Sequence, residues 1–423
     1  MPEDTPRGVR DFSPAEAISL RYITGVVEEV FKRFGFYPLE TPAIENISTL
    51  NAKDQYSEEQ QKEIFTMKDE QTGLRYDFTV PLARYVASNK DISLPFKRYQ
   101  IGNAWRRDEP QRMRYREFMQ ADVDVVGSAE PDSDAEVIAA TALAIEETGI
   151  RDYAVLVSSR ELLRQVILGF GVPADKEAQA VRIIDKLQKI KRDEALAQLS
   201  ELAKGQDAER LLGFMEQEGS NEEMLQKIAA NIEGSKALVE RMQELLKLLG
   251  SYRLNGKVVF DMTLARGFDY YTGFVWEFAV EENGRRSLSI GGGGRYDGLI
   301  GIYSKRATPA TGSSLGISRM FEILNGASKK TYAKVFVAYI GQQNRDYALN
   351  AATEMRGNGI YVDLNTSSKN ISKQLEYAGS LDIPNVLIVG DQERQANKVK
   401  LRNMQTGEEG LITLQEAIEK LGK

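Results

Sequence analysis

The sequence predicts an α+β protein in which an antiparallel sheet is flanked by helices, followed by a small α/β domain. Three observations support this fold class. Two capping-box patterns open segments with apolar residues at helical spacing, at residues 13–34 and 133–149. Consecutive β-like runs at 257–261, 273–280 and 287–294 are typical of an antiparallel meander. From residue 330 onward, strand-like and helix-like segments alternate, which indicates a layered α/β domain.

The elements follow in a simple order along the chain. A first helix is predicted to begin at Ser13, with proline at its first position, and to end at Gly35. After several β-like runs, a second capping box from Ser133 to Glu136 predicts a helix that ends near Gly149. The following stretch, rich in Ala, Leu, Glu, Lys and Gln, predicts a helical insertion. The predicted domain boundaries are 1–170 and 249–326 for the two parts of the main domain, 171–248 for the insertion and 330–423 for the terminal domain.

Composition excludes several kinds of chemistry. The 423 residues include no cysteine and no histidine, so there is no disulfide, thiol nucleophile, imidazole ligand or Ser-His pair. Any metal must be held by oxygen atoms, which favours Mg²⁺ accompanying a phosphate-bearing substrate. No apolar run reaches the ~18 residues of a membrane span, and the N-terminus has no apolar signal core, which predicts a cytoplasmic protein. The net charge of -7 does not by itself indicate nucleic acid.

An arginine-rich stretch between two β-like runs is the strongest candidate for a binding site. The segment WRRDEPQRMRYREFMQ, from Trp105 to Gln120, carries five arginines. Guanidinium groups match phosphate oxygens, but on charge alone a solvated loop is an equally good interpretation. Phe118 lies among these cations, and an aromatic face beside guanidinium groups can hold an adenine ring with its phosphates. The stretch therefore predicts a nucleotide site.

Several motifs, in this order, resemble those of the class II aminoacyl-tRNA synthetases. Residues 35–45, 105–118 and 308–321 resemble the three class II motifs, whereas LARGFDYYTG (264–273) and IGGGGRYDGL (290–299) resemble signatures of histidyl-tRNA synthetases of archaeal and eukaryotic style. The resemblance covers essentially the whole chain. It implies a class II antiparallel sheet of six or seven strands with helices on its sides, a homodimer paired through the first motif, and a C-terminal anticodon-binding domain.

The activity implied by this resemblance is the ATP-dependent attachment of L-histidine to tRNA-His through a histidyl-adenylate, with release of AMP and diphosphate. The nucleophile in the activation step is the carboxylate of the substrate itself. The enzyme must therefore supply positioning and charge neutralisation, which arginines and Mg²⁺ provide. A chain without histidine can run this reaction.

The resemblance assigns one set of residues to ATP. Arg106 would contact the α-phosphate and Arg114 a further phosphate. Phe118 would stack on adenine, with Arg319 on the other side of the nucleotide. Asp108 falls where the family usually has a glutamate that reads the adenine amino group.

A second set would bind histidine. The α-amino group would be received by Asp77 and Thr79, with Gln120 beside them. One imidazole N–H would meet Asp124 and the other ring nitrogen Tyr271, with two more tyrosines nearby, Tyr270 and Tyr296. Arg266 would lie between the amino-acid carboxylate and the α-phosphate, which makes Arg106, Arg266 and Arg319 the expected catalytic residues.

Some assignments leave alternatives open. The glycines at 291–294 predict a close approach of the backbone, either as the floor of the histidine pocket or as a bulge or tight turn. Met113 stands where the family normally has glycine, which could stiffen the loop or shift its path. Gln111 and Arg116 lie where the family approaches the tRNA acceptor end. Two rival functions are a regulatory paralogue that senses histidine and a class II synthetase of another specificity, and the presence of the three arginines and both signatures disfavours them.

Overall fold

The computed structural model describes residues 4–52, 61–187, 190–203, 206–265, 270–282, 285–304, 306–324 and 329–422. Contacts divide the chain into two compact units. The larger comprises Met1–Arg10 with Ile23–Asn325, and the smaller comprises Asp11–Tyr22 with Gly326–Lys423. None of the described helices is both long enough and apolar enough to cross a membrane.

The larger unit contains the main sheet and the helices around it. Its strands are β1 (Tyr37–Pro38), β2 (Ile44–Asn46), β3 (Thr72–Leu74), β4 (Phe96–Trp105), β5 (Glu117–Val126), β6 (Tyr153–Ser159), β7 (Val258–Phe260), β8 (Phe274–Glu282), β9 (Arg285–Arg295) and β10 (Ala310–Gly316). Helix α1 (Pro14–Arg33) has residues in both units. The other helices of the larger unit are α2 (Ile47–Leu50), α3 (Thr79–Ser88), α4 (Pro131–Glu147), α5 (Arg160–Gly169), α6 (Glu177–Ile184), α7 (Arg192–Ser200), α8 (Asp207–Met215), α9 (Asn221–Asn231), α10 (Lys236–Ser251), α11 (Leu299–Tyr303) and α12 (Ile317–Ile323).

The main sheet has eight strands in the order β1-β4-β5-β10-β9-β8-β6-β7. The six central strands pair antiparallel, whereas the short edge strands β1 and β7 pair parallel with β4 and β6. The antiparallel sheet is confirmed, but the described strands outnumber the expected six or seven because each edge gains one short strand. The predicted meander is wrong for residues 257–261, because β6 lies between β7 and β8.

The first predicted helix is confirmed and the second begins earlier than predicted. Ser13 and Glu16 form the expected reciprocal capping bonds, with Ser13 N–H donating to Glu16 Oε2 at 2.8 Å. Helix α4 begins at Pro131, not after Ser133. Proline favours the first helical position because its missing N–H has no partner there. The Ser133 hydroxyl instead donates to the carbonyl of Glu130 inside the first turn.

Helix α4 covers one face of the main sheet. Its buried Asp134 accepts a hydrogen bond from the Thr311 hydroxyl at 2.6 Å and pairs with Arg295 of β9 at 2.6 Å. Arg295 is 1% exposed and also donates to the carbonyls of Ser128 and Glu130. An ion pair so deeply buried is strongly destabilising to break. It fixes α4 on this face and leaves the opposite face for a site.

The helical insertion is present as α6 to α10, and its helices pack through their own apolar residues. The buried members include Ala195, Leu199, Leu211, Leu212, Leu225, Ile228, Met242 and Leu245. Contacts keep these helices in the larger unit. The proposed division at residues 171 and 248 therefore stays a prediction.

The smaller unit contains the predicted α/β layers. Its five-stranded sheet has the order β12-β11-β13-β14-β15, with β12 and β13 parallel to β11 and the rest antiparallel. Apolar clusters cover both faces of the sheet. The elements are β11 (Val335–Tyr339), α13 (Arg345–Gly357), β12 (Val362–Leu364), α14 (Ile371–Ser380), β13 (Asn385–Val389), α15 (Asp391–Gln395), β14 (Val399–Asn403), β15 (Glu409–Ile412) and α16 (Leu414–Leu421).

Candidate active site

A trough runs across the face of the main sheet that α4 leaves uncovered. Directly paired residues of antiparallel strands point to the same face. On this face β9 and β10 present glycine or serine at neighbouring positions, and β4 contributes one glycine, so this part of the sheet leaves room for the side chains of β5. These positions are Gly102, Gly292, Gly294, Gly312, Ser314 and Gly316. The trough forms the floor of a cavity of about 340 Å³, within the range of small-molecule sites.

Two of the glycines accommodate the side chains that the sequence assigns to the imidazole ring. Gly312 and Gly294 are direct partners on β10 and β9. A Cβ added to Gly312 would lie 1.9 Å from Asp124 Oδ1, and one added to Gly294 would lie 2.8 Å from the Tyr271 ring. Asp124 and Tyr271 thus lie over adjacent strands. Each occupies space that a side chain at the glycine beneath it would fill. The glycine run is confirmed as a place of close backbone approach, within a strand and not in a turn.

Below Tyr271 the polar groups are buried and connected. Tyr296 donates its hydroxyl hydrogen bond to Asp124 Oδ1, and Arg98 pairs with Asp124 Oδ2 at 2.8 Å. The Tyr270 hydroxyl lies 3.4 Å from Asp77 Oδ2. Asp77 Oδ1 accepts the N–H of Val80, which holds the carboxylate at the start of α3. Burial raises the pKa values of Asp124 and Tyr296, because no water solvates their charged forms.

Strand β5 carries the polar side of the trough. Phe118, Gln120, Asp122 and Asp124 alternate along it, so all four point to the same face. Gln120 donates from Nε2 to Ser314 Oγ at 3.0 Å. Its Oε1 is buried without a hydrogen-bond partner among the described residues. Burial raises the pKa of Asp122 to about 7, against the opposing charge of Arg98.

The other end of the cavity is built by the arginine-rich loop between β4 and β5. The Arg106 guanidinium lies between two aromatic rings, with its carbon 4.3 Å from the centroid of Tyr76 and 5.0 Å from that of Phe118. Its Nε also donates to the carbonyl of Tyr76 at 3.3 Å. The Tyr76 hydroxyl in turn donates to Glu63 Oε2 at 2.7 Å. This stack orients the guanidinium towards the cavity that it lines with Phe118.

Arg319 closes the same end from α12. Its guanidinium donates to the carbonyl of Ser289 at 2.7 Å and to that of Met113 at 3.4 Å. Met113 has a φ of 61°, a left-handed conformation that costs a non-glycine residue roughly 1–2 kcal/mol. The carbonyl contact and this conformation both belong to the tip of the loop.

Asp108 and Arg114 pair with each other inside the loop. Arg114 donates from Nε to Asp108 Oδ2 at 2.6 Å. Burial alone would raise the pKa of Asp108, but hydrogen bonds with Glu63 and Arg114 and the charge of Arg114 lower it. Burial and the hydrogen bond with Asp108 raise the pKa of Glu63. Of these two carboxyl groups, Glu63 therefore takes up a proton before Asp108 does.

Known proteins match this chain along its whole length. Residues 8–320 match the family model described as "Histidyl-tRNA synthetase", and residues 334–423 match "Anticodon binding domain". The histidine--tRNA ligase of Aeropyrum pernix is 37% identical over 98% of this chain and 96% of its own. The histidine--tRNA ligase of Phocaeicola vulgatus is 35% identical over 98% of this chain and 97% of its own. The crystal structure of histidyl-tRNA synthetase from Nostoc sp. PCC 7120 has a TM-score of 0.85 at 26% identity and covers 99% of both chains.

The chain belongs to the histidyl-tRNA synthetase family. It is therefore an aminoacyl-tRNA synthetase, and its family charges tRNA with histidine and uses ATP as a substrate. The resemblance read from the sequence is confirmed. The resemblance of the smaller unit to an anticodon-binding domain is confirmed as well.

The structure brings together most of the residues predicted for the site. Arg106, Asp108, Arg114, Phe118, Gln120, Tyr271 and Arg319 line one cavity. Asp77, Asp124, Tyr270 and Tyr296 are buried beneath it, and Thr79 begins α3 beside Asp77. Arg266 lies outside the described residues. The individual roles of all these residues stay predictions.

Two residues predicted for the tRNA acceptor end lie in the loop but make different contacts. Gln111 is exposed at its tip and pairs with Arg114 through backbone hydrogen bonds. Arg116 donates from Nε to the carbonyl of Asp108, and its backbone N–H donates to the carbonyl of Gly8. Arg116 thus braces the base of the loop against the N-terminal segment.

Sequence reasoning missed several residues that build this synthetase site. Glu63, Tyr76, Arg98 and Asp122 have no nucleotide or amino-acid role in the motifs, yet they hold or neighbour residues that do. The alternation along β5 could have identified Asp122, because it lies between Gln120 and Asp124 on one face. No sequence signal places Glu63 beside the loop, because that contact spans distant segments.

Proposed function

We propose that this protein attaches L-histidine to tRNA-His in two steps, forming a histidyl-adenylate with release of diphosphate and then AMP. The supporting observation is one cavity with two unlike ends. Guanidinium groups and an aromatic ring line one end. Gln120 and Tyr271 line the other, with buried carboxylates and two further tyrosines beneath them. This arrangement fits a substrate that joins adenylate and histidine.

ATP would occupy the end built by the arginine-rich loop. Adenine would stack between Phe118 and Arg319, and its α-phosphate would meet Arg106. Arg114 would contact a further phosphate and Asp108 the adenine amino group, which requires these two residues to exchange their mutual ion pair for ligand contacts.

Mg²⁺ would enter this end of the cavity with ATP. The described residues contain no group of three or more acidic side chains that could hold an ion by itself. The phosphates would then supply most of its oxygen ligands, and Glu277, which lines the cavity, could add one. The bound ion would neutralise charge on the phosphate oxygens.

Histidine would extend from Gln120 towards Asp124. Its α-ammonium group would be received by Asp77, Thr79 and Gln120, and its ring by Asp124 and Tyr271. Tyr296 holds Asp124 Oδ1, so the carboxylate is oriented before the substrate arrives. A site that must hydrogen-bond the ring nitrogens rejects apolar analogues, because its own buried polar groups would be left unpaired.

The chemistry needs no general base. The histidine carboxylate, already ionised, attacks the α-phosphorus, and the bond to the diphosphate oxygen breaks. Arg106 and Arg319, with Arg266, would stabilise the charge that grows on the phosphate oxygens. Catalysis by positioning and fixed positive charge is consistent with a chain without histidine.

The remaining partners follow from this role. The C-terminal unit would bind the anticodon of tRNA-His, and residues 35–45 would pair two copies of the chain in a homodimer. Tyr37 and Ile44 in this segment are 69% and 51% exposed in the single chain, as an interface residue would be. The cytoplasm, where tRNA is used, is the compartment implied by the role.

Histidine-dependent exchange of labelled diphosphate into ATP is the experiment that tests the proposal. We expect exchange with histidine and none with other amino acids, followed by charging of tRNA-His. Histidine binding without exchange would instead favour a histidine sensor.

A further inference from the structure

The histidine end of the cavity contains more buried carboxylates than buried cations. Asp77, Asp122 and Asp124 are each no more than 3% exposed, and Arg98 is fully buried among them. Arg98 pairs with Asp124 at 2.8 Å. The α-ammonium group of histidine is the proposed partner of Asp77. Among the described residues, no further cation is then assigned to Asp122.

Asp122 lies between two residues that the proposal assigns to histidine. It occupies β5 between Gln120 and Asp124 and points to the same face, opposite Ser314 of β10. Its Oδ1 is buried without a hydrogen-bond partner among the described residues. Burial and then the negative charges of Asp122, Asp77 and Asp124, in that order, raise the pKa of Tyr271. The carboxylate of Asp122 is therefore close to the side chain assigned to the ring.

The other charged groups around Asp122 do not replace the missing cation. Arg75 donates to the carbonyls of Thr41 and Asn103. The charge of Glu40 raises the pKa of its guanidinium more than the charge of Asp122 does. Gln100, directly opposite Asp122 on β4, is neutral. Arg160 acts on Tyr271 from the start of α5, but less strongly than any of the three carboxylates.

We infer that Asp122 is a specificity-determining residue that makes the site select histidine with a protonated imidazole ring. A ring that carries a proton supplies the positive charge that balances the third buried carboxylate, whereas a neutral ring leaves that carboxylate either unpaired or protonated. Leaving a buried carboxylate uncompensated is costly. The inference rests on the proposed function, because it takes histidine as the substrate.

The proton balance is simple. The pKa of Asp122 is raised to about 7 by burial, and a free imidazole ring has a pKa of about 6.5. At pH 7 about half of the Asp122 carboxyl groups carry a proton; in those molecules binding breaks the O–H bond and forms an N–H bond on the ring, with no uptake from solvent. At pH 8 the Asp122 carboxyl group of the free protein and the ring of free histidine are both mostly deprotonated. The complex must therefore take up about one proton from solvent.

The first test compares histidine with 2-fluorohistidine, whose ring has a similar shape but is not protonated near neutral pH. Exchange of labelled diphosphate into ATP gives kcat/KM for both amino acids. We expect the wild type to favour histidine by ~100-fold, and Asp122→Asn to lower this ratio about tenfold or more, because a charged hydrogen bond is lost for histidine alone. Equal use of both amino acids by the wild type, or an unchanged ratio in the variant, would overturn the inference.

Asp132→Asn is the matched control, because it removes one negative charge from an exposed position in the first turn of α4. We expect its ratio to equal that of the wild type. A drop as large as that of Asp122→Asn would assign the effect to net charge and overturn the inference.

The second test needs no variant. Calorimetric titration of the wild type with histidine at pH 8, in two buffers of different ionisation enthalpy, gives the number of protons taken up. We expect about one, and none would overturn the inference. Absence of histidine-dependent exchange in the wild type would contradict the proposed function itself, whereas normal exchange without proton uptake would remove only the inference.

Discussion

The two ends of the cavity are built in opposite ways. The nucleotide end consists of long side chains on a loop and on α12, held by stacking and by carbonyl contacts. The histidine end consists of buried side chains packed on the sheet, with glycines beneath Asp124 and Tyr271 and an ion pair between Arg98 and Asp124. Arg114 keeps 47% of its side chain exposed, whereas Asp124 keeps 3%.

This difference fits what each end is proposed to bind. Triphosphate charge is large and spread over many oxygens, so flexible guanidinium groups can adapt to it. An imidazole ring is small and is recognised by the placement of two nitrogens, which requires rigid partners. A strand pair at a spacing of about 4.8 Å supplies that rigidity. We therefore expect substitutions at the loop to lower the rate and substitutions at the trough to weaken histidine binding.

The largest effect is expected at Arg106. Replacing Arg106 with alanine removes a fixed charge at the proposed α-phosphate position, and we expect kcat for exchange to fall by ~10³-fold. Arg106→Lys retains the charge but loses the planar contact between Tyr76 and Phe118, and we expect a loss of ~10²-fold. The KM for histidine should stay within about threefold of the wild-type value. A raised histidine KM with unchanged kcat would mean that the two ends do not divide the work in this way.

A substitution in the trough should give the complementary pattern. Gly312→Ala places a Cβ 1.9 Å from Asp124 Oδ1, so the carboxylate must move away from Tyr296. We expect a loss of ~10²-fold in kcat/KM for histidine, while the KM for ATP is almost unchanged.

Gly213→Ala in α8 is the matched control for Gly312→Ala, because no atom lies within 4 Å of its added Cβ. We expect it to retain full activity and its free energy of unfolding to rise by about 0.5–1 kcal/mol, since alanine favours a helix. Equal activity of the two variants would show that Asp124 does not need its place over Gly312.

The sequence predicts the trough better than it predicts what holds the loop. The polar residues of β5 alternate within one strand, so their shared face follows from strand geometry alone. The place of the glycine run beside them also depends on β10, which pairs with both strands. Glu63 contacts the loop across a separation of more than 40 positions, and nothing in its neighbourhood marks that contact. Likewise Arg98 and Asp124 meet because β4 and β5 pair in one register, and that register depends on the whole sheet.

The fold shows the same limit. Helix α1 is predicted because its capping bonds are local, whereas the parallel edge strands are not, because each joins segments distant in the chain. Residues 258–260, within the predicted run 257–261, form a strand, but this strand joins β6 and not β8. Local signals identify elements, and tertiary contacts decide their partners.

A smaller effect is expected from the ring beneath Arg106. Tyr76→Leu removes the lower face of the stack, and we expect kcat for exchange to fall about tenfold. Tyr76→Phe retains the ring and loses only the hydrogen bond to Glu63, so its loss should be about threefold. Diphosphate exchange at saturating histidine measures both. Equal losses in the two variants would show that the hydroxyl, and not the ring, positions Arg106.

The smallest effect is expected at Met113, where the loop itself can be tested without removing any proposed ligand contact. Met113→Gly relieves a left-handed conformation, at φ 61°, but gives the unfolded chain more freedom. The relief of strain in the folded protein and the added entropy of the unfolded chain are each worth roughly 1 kcal/mol, and they act in opposite directions. We therefore expect the free energy of unfolding, measured by thermal denaturation, to change by less than about 1 kcal/mol and the KM for ATP by less than about threefold. Arg319 donates to the carbonyl of Met113 and not to its side chain, so that contact survives the change. A much larger rise in the KM for ATP would show that the methionine side chain itself shapes the nucleotide end.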